Sequence, residues 1–99
     1  MAYSYGSIIP APTSKPIAVT RHTTLNTSYA ITLNTKTTGI EVTANTKPLL
    51  LRWNDTATTS AFDGVIPADS SKVFMVPSGT TTVNIIEDGG GAQVVVIEF

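Results

Sequence analysis

The sequence has no cysteine. That excludes a disulfide framework, a thiolate nucleophile and any zinc site built on sulfur. Charge is scarce as well: 13% of the 99 residues are charged, six Lys and Arg against seven Asp and Glu, for a net charge of −1. The basic residues Lys15, Arg21, Lys36, Lys47, Arg52 and Lys72 are spread along the chain. They form no basic footprint, so nucleic acid is not an expected partner. No run approaches the roughly 18 apolar residues of a membrane-spanning helix, and no membrane association is expected. No Lys or Arg precedes Lys15 and no continuous apolar core follows the first residue, which is not the pattern of a secretory signal. Good helix formers are few, with only 5 Leu and 3 Glu.

What the chain has in quantity is β-branched residues: 17 Thr, 9 Val and 9 Ile, about a third of the total. Such side chains are stiff at χ1 and suit a pleated strand better than a helix. The length fits a single domain. The composition divides it into an extended N-terminal arm, residues 1–16, and a β domain, residues 17–99. The arm holds Pro10, Pro12 and Pro16, which forbid a helix and break a sheet ladder. It also holds Tyr3, Tyr5, Ile8 and Ile9 and no charged side chain in its first 14 residues. That chemistry fits a segment that docks on another surface; a frayed terminus with chance apolar residues is the plainer alternative.

Period-two alternation marks several of the domain's strands, and short or continuous apolar runs mark the others. Candidates are Ile17–Thr20, Tyr29–Asn34, Ile40–Ala44, Leu49–Trp53, Val65–Ile66, Lys72–Val76, Thr80–Glu87 and Ala92–Phe99. Turn chemistry separates them at Thr35–Gly39, Asn45–Pro48, Pro67–Ser71 and Pro77–Gly79. Asp88-Gly-Gly-Gly91 is expected to close a hairpin between the last two strands. Eight short strands and no helix predict an all-β fold, an antiparallel β-sandwich of the jelly-roll type.

Side chains that could do chemistry are few. His22 is the only histidine, no Gly-x-Ser-x-Gly elbow accompanies it, and Gly89–Gly91 lacks the Lys and helix of a phosphate loop. Asp55, Asp63 and Asp69 fall in loops, but their spacing matches no alternating calcium loop, and turn formation accounts for them. No cofactor, metal or catalytic residue is expected.

A conflict in the pattern is more informative. A two-layer fold wets the outer face of each strand, yet Leu49-Leu50-Leu51 and Val94-Val95-Val96-Ile97 do not alternate. A domain this short has no third layer to cover them. Their outer members are therefore exposed or covered by another chain, and Leu50 and Trp53 join the arm residues Tyr3, Tyr5, Ile8 and Ile9 as candidate partner contacts.

The segments Phe62-Asp-Gly-Val-Ile-Pro67, Lys72-Val-Phe-Met-Val-Pro77, Gly79-Thr-Thr-Thr-Val83 and Gly91-Ala-Gln-Val-Val-Val-Ile-Glu-Phe99 resemble short all-β virion proteins of tailed bacteriophages. The likeness covers roughly the second half of the chain and consists of strand-and-turn patterns. It implies a non-enzymatic role as a capsid decoration or cement protein, or as a small head–tail or tail component. It further implies the major capsid protein or other virion proteins as partners, and a place in the virion after assembly in the host cytoplasm. No functional side chain carries over by motif. A homo-oligomer, dimer or trimer, is compatible with the apolar strand faces. Two rivals are a carbohydrate-binding or adhesin-like module using Trp53, Tyr29 and Phe62 as an aromatic platform, and a hydrolase using His22.

Overall fold

The computed structural model describes residues 16–99. Within them the alternating segments become eight strands: β1 (Ala18–His22), β2 (Tyr29–Thr32), β3 (Gly39–Asn45), β4 (Leu49–Trp53), β5 (Gly64–Ile66), β6 (Ser70–Met75), β7 (Thr82–Glu87) and β8 (Gln93–Glu98). The described residues contain no helix. The expected arm, with Tyr3, Tyr5, Ile8 and Ile9, lies outside the described residues.

Pairing is antiparallel throughout and nested: β1 with β8, β2 with β7, β3 with β6, β4 with β5. Two further pairings, β3 with β8 and β4 with β7, join these ribbons side by side. The result is a first sheet ordered β1-β8-β3-β6 and a second ordered β2-β7-β4-β5. Their inner faces share one core, in which Ile40, Val42, Val94 and Val96 of the first sheet meet Leu49, Leu51, Val83 and Ile85 of the second. Each of these side chains is at most 1% exposed.

The expected hairpin at Asp88–Gly91 is not one. β7 belongs to the second sheet and β8 to the first, so this connection arches from one sheet to the other. The inward side chains explain the arch. Ile85 on β7 and Val94 on β8 both enter the core, so the chain must cross the open end between them. Gly89 and Gly91, at φ 127° and 80°, supply backbone that a residue with a Cβ rarely adopts. Only β4 and β5 are consecutive strands within one sheet.

Polar groups close the ends of the core. Glu98 points inward with Val94 and Val96 and is 2% exposed. Its Oε1 accepts hydrogen bonds from the Asn34 amide (2.9 Å) and the Thr37 hydroxyl (2.7 Å). At the other end Glu87 Oε1 accepts from the Ala92 amide at 3.2 Å. A buried carboxylate without donors would be costly, and these bonds offset that cost.

Aromatic pairs close the sides. His22 and Tyr29 stack with centroids 3.6 Å apart, joining β1 to β2. Trp53 and Phe74 meet edge to face at 6.1 Å, joining β4 to β6. The Phe74 ring lies where a Cβ on Gly64 would come within 2.9 Å of it, so glycine permits that approach.

The two-layer arrangement predicts a sharp contrast between inward and outward positions. Leu51→Ala removes a fully buried side chain and is expected to cost about 2–5 kcal/mol. Met75→Ala, at a side chain 66% exposed, is expected to cost less than about 0.5 kcal/mol. Urea denaturation of both variants checks this.

Candidate interaction face

The register of the first sheet determines what its outer face carries. Strand side chains alternate, so the residues between Val94, Val96 and Glu98 point outward: Val95 and Ile97. Pairing sets Val19 of β1 and Glu41 of β3 on either side of Ile97, with Val73 of β6 beyond Glu41. A second row holds Arg21, Val95, Thr43 and Ser71. A third is formed where Ile17 donates to the Glu98 carbonyl and Phe99 and Gly39 exchange two backbone bonds of 2.9 Å. Met75 pairs with Gly39 at the far end of that row.

The outcome is a surface with apolar side chains from β1, β8 and β6 and from the flanking Ile17 and Phe99, interrupted along β3 by Glu41 and Thr43. Ile17 is 42% exposed, Val19 41% and Met75 66%, while Val73, Val95, Ile97 and Phe99 are half-buried. Gly39 allows the Phe99 ring to lie flat on the sheet, since a Cβ there would sit 2.7 Å from the ring. Among the described residues no element packs on this face. Exposed apolar side chains grouped on one face are a common property of contact sites.

The outer face of the second sheet differs. Leu50 pairs with Val65 on one side and Ile86 on the other and is only 3% exposed. Asn84, also outward, is 7% exposed and donates to the Arg52 carbonyl at 3.4 Å. Arg52 in turn reaches Asp55 at 3.5 Å. So Leu50 offers a partner little area, and Trp53 turns its ring toward the core edge and Phe74. The large exposed apolar side chains are at other positions: Ile17, Val19 and Met75 on the first sheet, Val65 beside Leu50, and Phe62 in the loop before β5.

The aromatic platform does not assemble. Tyr29 pairs with Ile85 and Trp53 with Val83, two residues apart along β7 and on opposite sides of it. Tyr29 is stacked on His22, and Phe62 lies in the loop before β5 at 42% exposure. The loop carboxylates do separate turn work. Asp63 Oδ2 accepts from the Trp53 amide, Asp69 Oδ1 from the Thr46 amide, and Asp55 Oδ1 from the Thr56 amide. The Asp69 bond holds Thr46 at φ 74°, an unusual conformation for a β-branched residue. A cleft of about 250 Å³ at the β7–β8 arch is lined by Thr23, Thr24, Leu25, Asn26, Glu87 and Gly91. It brings one carboxylate together with hydroxyl and amide groups, without a nucleophile–base pair.

The chain matches no protein family, no curated protein and no solved structure.

If the outer face of the first sheet is accessible apolar surface, polar substitutions on it are tolerated and change what binds there. Met75→Lys combined with Ile97→Lys is expected to leave the circular dichroism spectrum unchanged and to cost about 1 kcal/mol. The same variant is expected to bind markedly less of an environment-sensitive hydrophobic dye than the unaltered protein.

Proposed function

We propose that this chain is a non-enzymatic structural protein of a bacteriophage virion, of the capsid decoration or cement type. It stabilises the particle by bridging neighbouring capsid subunits. The observation that carries this reading is the apolar outer face of the first sheet, which the described chain leaves uncovered. A protein that works by burying such a surface within an assembly needs no catalytic constellation, and many copies on one particle add avidity. Its partners are the major capsid protein or other virion proteins, and its place is the virion.

The fold supports the same reading. Eight antiparallel strands in the nested order β1-β8-β3-β6 against β2-β7-β4-β5 are what results when one long antiparallel ribbon is rolled up, which favours a jelly-roll β-sandwich. The uncharged segment with Tyr3, Tyr5, Ile8 and Ile9 adds apolar contact area at low chain length in this proposal, as an arm that extends the interface beyond the domain. The absence of cysteine suits assembly in a reducing cytoplasm.

Quantitative mass spectrometry of purified particles tests the role. A copy number comparable to that of the shell subunit is expected; a handful of copies would indicate a head–tail or tail component, and absence from particles would refute the proposal. Deleting residues 1–14 is expected to weaken particle binding by at least about tenfold while leaving the circular dichroism spectrum intact. Undiminished binding would remove the arm from the interface.

A further inference from the structure

The outer face of the first sheet carries two charged side chains of opposite sign. Arg21 on β1 is exposed and Glu41 on β3 is half-buried. Among the described residues neither enters an ion pair; the pair that forms, Arg52 with Asp55, belongs to the second sheet. β8 runs between β1 and β3 and presents Val95 and Ile97 along the midline of the face. With neighbouring strands about 4.8 Å apart, Arg21 and Glu41 flank that midline at about 5 Å on either side. Along the strands they are one two-residue step, about 7 Å, apart.

Such a face is complementary to itself. A two-fold axis along β8 sets Val95 on Val95 and Ile97 on Ile97, and brings the β1 side of each copy over the β3 side of the other. Arg21 then lies one step from Glu41 of the second copy, a span its long side chain covers, and symmetry makes two such pairs. An axis across the strands would instead lay β1 on β1, setting Arg21 toward the like charge of its own mate. Facing sheets pack about 10 Å apart, a gap filled here by the midline residues and Val19 of each copy, while Val73 and Met75 of β6 extend past the second copy's β1.

We propose that the outer face of the first sheet is a homodimer interface, occupied by the same face of a second copy. The inference rests on the reading of that face as a contact surface and names its occupant. The three overlapping strands at about 4.8 Å and five residues at about 3.4 Å give a footprint near 250 Å². That is well below the roughly 800 Å² that each partner contributes to a standard stable interface. The dimer is therefore weak in free solution and gains strength where many copies are held on one surface. A dimer also carries two copies of the N-terminal segment on one body, which is what bridging two neighbouring subunits requires.

Sedimentation equilibrium of the full chain, from about 10 μM to 1 mM, tests the proposal. A monomer–dimer equilibrium within that range is expected. Arg21→Glu and Glu41→Arg are each expected to weaken dimerisation about fivefold or more, and the two together to restore it to within about twofold. Ile97→Lys, outward-facing on the midline where it meets its own mate, is expected to give a folded monomer and serves if a charge variant fails to fold. A monomer at every concentration, a trimer, or a double variant no better than the singles would overturn the proposal. So would a dimer that Ile97→Lys leaves intact and that Ile8→Ser with Ile9→Ser abolishes, since that result assigns the contact to the N-terminal segment. These outcomes are read on the isolated protein, whereas the virion role is read on particles, so either can fail without the other.

Discussion

Strand β8 is apolar on both of its faces, and a two-sheet fold has only one interior to offer it. Val94 and Val96 fill that interior, pinned between the partners that β1 and β3 provide. Val95 and Ile97 must then point away from it. No register shift relieves the problem, because a slip of one residue would exchange one apolar pair for the other. The inner pair holds the domain together, and the outer pair obliges the domain to present an apolar surface. Val19, Val73 and Met75, contributed by the neighbouring strands, extend that surface across the sheet.

The rest of the structure protects the core that β8 completes. Glu87 and Glu98 bring carboxylates to its two ends, where backbone amides and a hydroxyl satisfy them. Stacked His22 and Tyr29 close one side, and the Trp53–Phe74 pair closes the other. The chemically versatile residues are thus spent on closure. The only histidine is a stacking partner, and Asp55, Asp63 and Asp69 hold turns. This division of labour fits a protein whose task is contact.

Much of the fold was legible in the sequence because strand alternation is local. Local patterning places all eight strands, alternation divides β6 and β7 into two faces, and its absence marks β4 and β8 as apolar on both sides. What was not legible depends on pairing between distant segments. Asp88–Gly91 has the chemistry of a hairpin tip, and only the assignment of β7 and β8 to different sheets makes it an arch. The same limit applies to the interaction face. Leu50 and Val95 look alike in sequence, each an outward residue in an apolar strand. Leu50 lies between Val65 and Ile86 and is nearly inaccessible. Val95 lies between Arg21 and Thr43 and contributes to an open patch. Met75 carried a usable signal, since it shares a face with Val73 in the alternation, but which face points outward is set by the pairing of β6 with β3.

The central claim is that this outer face is covered when the protein is in its working assembly. Met75, the most exposed apolar side chain among the described residues, reports on it directly. Oxidative footprinting of Met75 compares the dilute isolated protein with purified particles of the proposed virion. The account predicts rapid oxidation in the isolated protein and strong protection on the particle. Equal oxidation rates in the two would contradict it.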